Sequence, residues 1–319
     1  MNQPLVCIII LNWNGLKDTL ECLESVKKIT YHNYKIIIID NASANDEAHT
    51  LRKNCSRDVD VLLTAQNYGY TGGNNVGISY ALEKYNPAYI LILNNDTIVD
   101  PEFMTNMINV ADSDKKTGIV GAKVYYHRYP NLIQSAGGGM NMYLGKVYHI
   151  GGKKFDKGQF DMQRSVAYVV GCCMLIKSEV IKKIGLLDEQ FFCYWDESDY
   201  CFRCRKAGYD VVHSPQALVW HKKPVKLKIW ERTPKKTARS IISYYPFRNN
   251  FLFMRKHARR IEYITFILYF FTYNFIFNTG ACLVYHRDLI RFKEFLRGIL
   301  DGVKIKPFTY YYEKNYITL

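Results

Sequence analysis

The sequence predicts an α/β fold with a mostly parallel central sheet flanked by helices. Two apolar runs, residues 5–11 and 34–39, lack the polar–apolar alternation of half-exposed strands, so each is predicted to be a strand buried on both faces. Between them, residues 16–28 carry apolar side chains at helical spacing. Because strand, helix and strand in this order form the βαβ unit of a parallel sheet, we expect these three elements to begin the fold.

The next elements repeat this pattern, and polar residues follow each strand. Residues 59–63 predict a third strand, residues 77–85 a helix, and the apolar run at 89–93 a fourth strand. The carboxyl ends of parallel strands meet at one edge of the sheet, where ligands bind. The polar residues predicted to collect there are Asn12, Asp40, Asn67, Asn94 and Asp96. Turn formation and helix capping are the alternative explanation for residues of these types.

This polar edge has the groups that a nucleotide and a cation need. Asp96 follows an apolar strand, and a carboxylate there suits a divalent cation that carries phosphates. Glycines within residues 67–77 allow the backbone to approach phosphate. The dinucleotide fingerprint G-x-G-x-x-G and the phosphate loop G-x-x-x-x-G-K-[ST] are both absent from the sequence, which disfavours dehydrogenases and P-loop nucleotidases.

Composition limits the compartment and the partners. The chain has 319 residues and a formal net charge of +14, which favours a polyanionic partner: nucleic acid, an anionic membrane or a phosphate-bearing substrate. Nine scattered cysteines do not suggest a disulfide framework, and the run at 5–11 lacks the basic lead-in of a signal peptide. We therefore expect the catalytic part in a reducing cytosol. Cys201 and Cys204 form a single C-x-x-C motif, which favours a half-buried helix pair over a metal site.

Four segments resemble successive motifs of the family 2 inverting glycosyltransferases, which have the Rossmann-like GT-A fold. They are residues 11–15 (LNWNG), 40–43 (DNAS) with Asp46, 67–77 (NYGYTGGNNVG) and 93–97 (LNNDT). The segments look most like the rhamnosyltransferase-like subset of surface polysaccharide assembly. The resemblance implies that Asp40 holds the nucleotide base and that residues 94–96 form the D-x-D site, which ties the diphosphate to Mg²⁺ or Mn²⁺. Here Asn94 replaces the first Asp, so Asp96 is the only carboxylate of the motif.

The resemblance also implies a donor site and its metal ligands. It assigns to the nucleotide sugar Asn12, Asn14, Asp40, Asn67, Gly73, Asn74, Asn94, Asn95, Asp96 and Trp195. A strand predicted at 211–220 ends at His221, and a lone His is more often a structural residue than a ligand. Because a His at this place binds the metal in relatives, the resemblance implies Asp96 and His221 as metal ligands, completed by diphosphate oxygens and water. The apolar run at 168–176, predicted as a strand, resembles the segment lining the donor sugar.

An acid-rich segment supplies candidates for the catalytic base. Asp196, Glu197 and Asp199 follow a run of aromatic residues and precede a helix predicted at 200–207. Inverting transfer needs a carboxylate that accepts the proton of the acceptor hydroxyl, and dry surroundings raise its proton affinity. The segment resembles the family's E-D-x-D motif, which implies Glu197 as the base, with Asp196 as the fallback because the family usually has Asp at this position. Stabilisation of the helix N-terminus is the alternative role of these acids.

The C-terminal part of the chain differs in character. Residues 222–260 hold thirteen Lys and Arg against one acid, Glu231, with aromatic residues interleaved. This mixture suits the headgroup layer of an anionic membrane. Because the sequence has no recognisable nucleic-acid-binding motif, we expect no nucleic-acid partner. Residues 263–285 carry no charge and, by the rule of about 20 residues, could span a bilayer. Their Thr and Asn content favours helices that lie in the membrane interface; a single span, a buried helical hairpin and a homodimer contact are the alternatives.

These observations predict a GT-A catalytic domain at residues 1–224 and a basic, aromatic, helical, membrane-associating extension at 225–319. The expected reaction moves a sugar, rhamnose by resemblance, from a dTDP- or UDP-linked donor to a glycan or polyprenyl-linked acceptor, with inversion, at the inner face of the cell membrane. Residues 119–126 and 137–150 are expected on the acceptor side, and residues 244–249 resemble the Y-Y-x-x-R-N stretch that follows the catalytic domain in this subset. A nucleotidyltransferase and a non-catalytic carbohydrate- or nucleic-acid-binding protein are the alternative functions.

Overall fold

A computed structural model describes residues 3–223, 236–307 and 316–318. The strands are β1 Val6–Asn12, β2 Tyr34–Asp40, β3 Val59–Thr64, β4 Tyr89–Asn94, β5 Thr97–Val99, β6 Thr117–Tyr126, β7 Tyr129–Ser135, β8 Gly138–Asn141, β9 Lys146–His149, β10 Arg164–Ser165, β11 Cys173–Lys177, β12 Asp210–His221 and β13 Tyr316–Thr318. The α-helices are α1 Leu16–Val26, α2 Glu47–Asn54, α3 Gly69–Lys84, α4 Phe103–Ser113, α5 Ser178–Ile184, α6 Asp196–Lys206, α7 Lys236–His257, α8 Arg260–Tyr269, α9 Phe275–Gly280 and α10 Leu289–Lys304.

A mixed sheet with a parallel centre organises the chain. Its order is β10-β12-β6-β11-β4-β1-β2-β3-β13, with β5 paired to β12 and β7 paired to β6. Strands β4, β1, β2 and β3 are mutually parallel, β11 runs antiparallel between β4 and β6, and β12 is parallel to β6. The predicted α/β fold with a mostly parallel sheet is confirmed. The register aligns Asn12 with Asp40, so the polar residues after β1 and β2 are neighbours.

Both faces of the sheet are covered, which explains the unbroken apolar runs of the central strands. Ile8 and Ile10 face a core that includes side chains of α1 and α4, whereas Cys7 and Ile9 face a core built with α3, α5 and α6. All four side chains are fully buried. A strand buried on both faces has no position for a polar residue, so only its ends carry polar side chains.

Helix α3 differs from its prediction, because it begins at Gly69 and not near residue 77. Gly69, the first residue of α3, has a positive φ of 73°, whereas Gly73 and Gly77 lie within the helix and allow α3 to lie close to the sheet. A Cβ on Gly73 would stand 2.4 Å from Leu11 Cδ1, and one on Gly77 would stand 2.6 Å from Ile9 Cγ2. The glycine-rich segment is therefore a packing surface of a helix and not a loop around phosphate. Helical periodicity misses it because Gly and Asn disfavour helix interiors.

Two other boundaries differ near the polar edge. Helix α6 begins at Asp196, four residues before the predicted start, so the acids form its first turn. The apolar run at 168–176 is a strand only over Cys173–Lys177, and residues 168–171 lie outside it. Tyr168 and Gly171 line a cavity instead. A ligand-lining segment and a buried strand are both apolar, so periodicity does not separate them.

The C-terminal helices pack against one another through a phenylalanine cluster, in which Phe251 on α7 contacts Phe266 and Phe270. Phe253 on α7 joins them to the rest of the chain through Trp195 and Phe202. Helical structure continues from Arg260 to Tyr285, and this stretch is long and apolar enough to cross a membrane. Only Glu262, Phe266, Phe270 and Cys282 of this stretch are buried, and its other residues are partly or fully exposed. Part of the predicted basic segment, residues 224–235, lies outside the described residues.

Candidate active site

Asp96 and His221 meet at the carboxyl end of the sheet. Asp96 lies in the turn between β4 and β5, and β5 pairs with the end of β12 so that Thr97 is opposite His221. The amide N–H of Lys222 donates to the carbonyl of Asp96 at 2.8 Å. As a result, Asp96 Oδ1 and His221 Nε2 are 3.0 Å apart. Strand pairing therefore joins two residues that are 125 positions apart in the sequence.

The surroundings of His221 fix its ring. Its Nδ1–H donates to Gln134 Oε1 at 3.0 Å, which directs Nε2 towards Asp96. Burial lowers the pKa of His221, but Cys172 and Asp96 outweigh this effect and raise the pKa to about 10. Burial raises the pKa of Asp96, but the hydrogen bond and charge of His221 bring it below its usual value. The pair is thus matched in charge as a hydrogen bond, and His221 Nε2 must release its proton to bind a cation. An amide that sequence reasoning did not identify orients the ring from behind.

This pair fits a divalent cation. The separation of 3.0 Å is that of a hydrogen bond, and two ligands at right angles on an octahedral cation with bonds of about 2.1 Å stand about 3.0 Å apart as well. A carboxylate oxygen and an imidazole nitrogen suit Mg²⁺ or Mn²⁺. Among the described residues no cluster of three or more His, Cys, Asp or Glu side chains could hold a metal. A cation at this pair therefore needs ligands from a substrate or water.

A buried polar network connects the loops after β1 and β2. Asn12 Nδ2 donates to Asp40 Oδ2 at 2.7 Å and to Glu47 Oε2 at 3.0 Å, and its Oδ1 accepts from Thr19 Oγ1 at 2.7 Å. Glu47 Oε2 also accepts from the backbone N–H groups that begin α1. Asn12 has no exposed surface, and Asp40 has 1%. Asn12 and Asp40 are thus equally buried in this network, and Asn12 holds the carboxylate of Asp40 in place.

Two pairs of residues tie neighbouring loops of this edge together. The exposed Asn14 accepts from the amide N–H of Ala44 at 2.8 Å, and its own N–H donates to Ser43 Oγ at 2.8 Å. Asn41 Nδ2 donates to Asn67 Oδ1 at 3.0 Å, and Asn67 Oδ1 accepts from the N–H of Gly69 at 2.7 Å. Asn41 is buried and is a further residue that sequence reasoning missed, although it directly follows Asp40.

Two other residues predicted at the nucleotide sugar, Gly73 and Asn74, are buried, and Asn95 is partly buried. Gly73 lies against Leu11, as described above. Asn74 is 1% exposed, and its Nδ2 donates to the carbonyl of Tyr70 one turn earlier in α3 at 2.8 Å. Asn95 Nδ2 donates to Thr19 Oγ1 at 2.9 Å and so braces the loop after β1. For these three residues the geometry supports a packing or positioning role in place of direct contact with a ligand.

The acidic segment and His221 line one cavity. The cavity has a volume of about 330 Å³, and its lining includes Asn94 and His221 together with Trp195 and Glu197. Its remaining lining residues that could contact a substrate include Tyr70, Gln134, His149, Tyr168, Tyr194 and Lys223. A cavity of this size and polarity is typical of a small-molecule site. His149 belongs to the hairpin β8–β9, within the segment expected on the acceptor side.

Glu197 and Asp196 have different exposure. Glu197 is partly exposed, whereas Asp196 is 4% exposed. Burial raises the pKa of Glu197 above its usual value, and burial together with the negative charge of Glu197 raises that of Asp196 well above its usual value. Asp199 is fully buried and pairs with Arg203, Lys256 and His257. The first-turn acids are therefore not equivalent, and Glu197 is the more accessible of the two predicted candidates.

The segment before these acids has an unusual backbone. Phe192, Tyr194 and Trp195 have φ values of 62°, 66° and 69°. Bulky residues rarely adopt this left-handed conformation, and its occurrence at a site points to functional strain. The Phe192 carbonyl accepts from the N–H of Tyr70 at 2.7 Å, at the start of α3. We call residues 191–195, which precede the candidate bases, the catalytic segment. Through Phe192 this segment contacts α3, the helix that carries the predicted nucleotide-sugar motif.

Comparison with known proteins identifies the family of this architecture. The family model described as "Glycosyltransferase like family 2" matches residues 3–241. The hexosyltransferase Agl10 of low-salt glycan biosynthesis in Haloferax volcanii is 27% identical over 81% of this chain and 79% of its own length. The dTDP-rhamnosyl transferase RfbF of Shigella flexneri is 23% identical over 95% of this chain and 97% of its own.

Solved structures agree with the fold. The mannosyltransferase PcManGT from Pyrobaculum calidifontis, in complex with GDP-Man and Mn²⁺, superposes with a TM-score of 0.57 at 11% identity, over 95% of this chain and 87% of its own. S. aureus TarS 1–349 with UDP-GlcNAc superposes with a TM-score of 0.58 at 12% identity, over 94% of this chain and 80% of its own. The predicted GT-A fold is confirmed, and the nucleotidyltransferase and binding-protein alternatives have no support. This chain is a glycosyltransferase and belongs to the glycosyltransferase-like family 2.

Proposed function

We propose that the protein is an inverting, metal-dependent glycosyltransferase that moves a hexose from a nucleotide diphosphate to an acceptor hydroxyl. The observation that carries this proposal is the cavity of about 330 Å³ that His221, Asn94 and Glu197 line together, with Asp96 3.0 Å from His221. A sugar in this cavity has the leaving diphosphate on one side and a carboxylate on the other. Inversion requires this opposed arrangement, because the acceptor attacks from the face opposite the leaving group.

Glu197 acts as the base in this proposal. Its carboxylate accepts the proton of the acceptor hydroxyl as the new bond forms at the anomeric carbon. Burial raises its pKa, which increases its proton affinity while it remains accessible from the cavity. Asp196 is the less accessible neighbour, and its charge would compete with that of Glu197 if both were ionised.

Asp96 and His221 hold the cation, with Gln134 orienting the imidazole from behind. When bound there, Mg²⁺ or Mn²⁺ supplies positive charge to the leaving diphosphate. Asn94 lines the cavity beside this pair and is placed to contact the diphosphate or the sugar. Asp40 is the proposed partner of the nucleotide base, with Asn12 fixing its carboxylate.

Relatives suggest the substrates. RfbF is named a dTDP-rhamnosyl transferase, and a Mycobacterium tuberculosis relative, 24% identical over 63% of this chain, is an N-acetylglucosaminyl-diphospho-decaprenol L-rhamnosyltransferase. We therefore place dTDP- and UDP-linked sugars first among donors, with rhamnose the first sugar to test. A glycan or a polyprenyl-linked glycan in cell-surface polysaccharide assembly is the proposed acceptor.

The test of catalysis is donor turnover. Purified protein is incubated with Mg²⁺ or Mn²⁺ and a panel of dTDP- and UDP-sugars, and release of nucleoside diphosphate is measured with and without glycan acceptors. Glu197→Gln is expected to lower kcat by a factor of about 10²–10⁴, because general-base catalysis contributes this much. Asp196→Asn is the matched variant and is expected to lose less. Full activity of Glu197→Gln would remove the proposed base.

The exposed apolar face of the C-terminal helices supports association with a membrane. Leu268 is 60% and Ile276 is 64% exposed, and most other exposed large apolar side chains of the described residues lie between residues 261 and 303. Exposed cations flank the apolar stretch at Arg260 and Arg287. We propose that this face lies on the anionic inner leaflet, where a lipid-linked acceptor would be presented. The division into 1–224 and 225–319 is part of this proposal.

Vesicle binding tests the membrane proposal separately. Wild-type protein is expected to cosediment with vesicles of equal phosphatidylcholine and phosphatidylglycerol, and less with pure phosphatidylcholine. The double variant Leu268→Glu/Ile276→Glu should lose most of this binding. Met162→Glu changes an exposed apolar residue in a loop outside these helices and should bind as wild type. A stable homodimer that does not bind either vesicle would assign the face to a second copy and contradict the membrane proposal.

A further inference from the structure

Asn249 on α7 is joined to the catalytic segment by its side-chain amide. Its Nδ2 donates to the backbone carbonyls of Phe191, Cys193 and Tyr194 at 2.7, 2.8 and 2.9 Å. The side chain is fully buried. An amide nitrogen has two hydrogens, so three acceptors around it require shared hydrogen bonds and leave no donor free. Asn249 is therefore committed to the backbone of residues 191–194.

This backbone is the part of the chain that needs external support. Phe192, Tyr194 and Trp195 occupy the left-handed region, which bulky residues leave unless the surrounding structure holds them. The carbonyls that Asn249 contacts belong to these residues or to their direct neighbours. Two other contacts from α7 act on the same segment: Arg248 Nη2 donates to the carbonyl of Gln190 at 2.6 Å, and the ring of Tyr245 stacks on Phe192 at 5.0 Å.

The direction of this segment determines where Glu197 points. Trp195 precedes the first residue of α6, and its carbonyl accepts from the N–H of Asp199 at 2.8 Å to begin the helix. Glu197 lies in this first turn and lines the cavity. A change in the φ angles at 192–195 would therefore rotate the start of α6 and move the carboxylate relative to a bound sugar.

We infer that Asn249 is a positioning residue of the transfer reaction, which holds the strained 191–195 segment so that Glu197 faces the acceptor. The inference rests on the proposed role of Glu197 as base. Asn249 acts only through the backbone and touches neither substrate nor cation. Helix α7, although it lies beyond the predicted catalytic domain, supplies this contact.

The test separates kcat from donor binding. Asn249→Asp preserves the shape of the side chain but removes the N–H donors, and Asn249→Ala removes the group. Tyr244→Phe is the matched control, because it deletes the hydrogen bond from α7 to Asp301 at 2.7 Å on α10 and leaves the catalytic segment untouched. We measure kcat, the donor KM, the Kd of the nucleoside diphosphate with Mn²⁺, and the midpoint of thermal unfolding.

Both Asn249 variants are expected to lower kcat about 100-fold, the cost of a displacement of about 1 Å, while the donor KM and the nucleotide Kd stay within twofold of wild type. Tyr244→Phe should keep kcat within twofold. A folded Asn249 variant with kcat within threefold of wild type overturns the inference, and so does an equal loss of kcat and nucleotide affinity. If both variants unfold, Asn249→Ser, which retains one donor, is compared in the same way. We expect kcat to fall by less than 100-fold, and an unchanged kcat would contradict the inference.

These outcomes are distinct from failure of the proposed function. If the proposed function is wrong, wild type and Tyr244→Phe release no nucleoside diphosphate, or Glu197→Gln stays active. If only the role of Asn249 is wrong, wild type is active, Glu197→Gln is inactive, and the Asn249 variants turn over normally.

Discussion

At the nucleotide edge, side chains on neighbouring loops bond to one another, whereas the catalytic segment across the cavity is held mainly through its backbone. Asn12, Asp40 and Glu47 form a network within the first 47 residues, and strand register already brings their loops together. The segment at 191–195 has three residues at positive φ and depends on Asn249, more than 50 positions later.

The two regions position their side chains in different ways. A parallel sheet places successive loops side by side, so polar residues after its strands reach one another directly, even though Asn14, Ala42 and Asp46 in these loops also have positive φ. The proposed base lies outside this arrangement, on the first turn of a helix whose direction is set by contacts with other elements. We therefore expect changes at the nucleotide edge to affect binding, and changes in the catalytic segment to affect turnover. Four predictions test this contrast.

The two variants Asp96→Asn and Glu197→Gln should differ most in their affinity for nucleoside diphosphate. Asp96→Asn removes a charged ligand of the proposed cation and is expected to lower kcat/KM by at least about 100-fold, because several kcal/mol of charge stabilisation are lost. It should also weaken nucleoside diphosphate binding in the presence of Mn²⁺. Glu197→Gln should leave that binding unchanged. Titration calorimetry with UDP or dTDP distinguishes the two, and equal effects of both variants on nucleotide affinity would break the contrast.

Gln134→Leu tests whether the imidazole is oriented from behind. The substitution removes the acceptor for His221 Nδ1–H while keeping a buried side chain of similar size. Second ligand-sphere partners of this kind typically contribute 10–100-fold to metal affinity, so we expect a loss in this range when activity is titrated with Mn²⁺. Gln134→Glu, which keeps an acceptor, is the matched control and should retain the affinity. Wild-type metal dependence in Gln134→Leu would show that the ring needs no such support.

The acidic limb of the pH profile, measured at saturating Mn²⁺, tests the proposed base Glu197. A base must be deprotonated, so activity falls as the pH drops through the pKa of Glu197, about tenfold for each unit below it. Because burial raises this pKa, the acidic limb of kcat/KM is expected above the ordinary glutamate value of about 4.3. The charged groups facing Glu197 are Asp196 and Lys223, which act in opposite directions. An acidic limb at or below the ordinary value would contradict a desolvated base.

Gly77→Ala should alter stability and leave turnover nearly unchanged. The added methyl would stand 2.6 Å from Ile9 Cγ2, a buried branched side chain, so we expect a loss of about 1–3 kcal/mol in the free energy of unfolding. Gly280→Ala is the control, because a Cβ there meets nothing within 4 Å, and a gain of up to about 1 kcal/mol is expected. Denaturant unfolding measures both. A wild-type stability for Gly77→Ala would mean that α3 can shift away from the sheet.

Much of the sheet and part of the site could be read from local patterns. Strands β1, β2 and β4 are buried on both faces, so their apolar runs were unambiguous, and the polar residues after them do lie at one edge. The glycine-rich start of α3 was missed because helix propensity is low there and packing against Leu11 and Ile9 overrides it. Gln134 had no local signal. Asn249 belongs to the Y-Y-x-x-R-N stretch that resembles the family. Neither spacing nor periodicity predicts its contact with the catalytic segment.

The α/β class, the polar strand ends and the acid-rich segment at 196–199 could be read from residue type and near-neighbour spacing. Which of these groups face one another depends on the tertiary structure. It paired Asp96 with His221 through β5 and β12, turned Asn12 and Asn74 inward, and fastened the catalytic segment to α7. Such contacts join residues far apart in the chain, and they arise from strand pairing and core packing that no local pattern encodes.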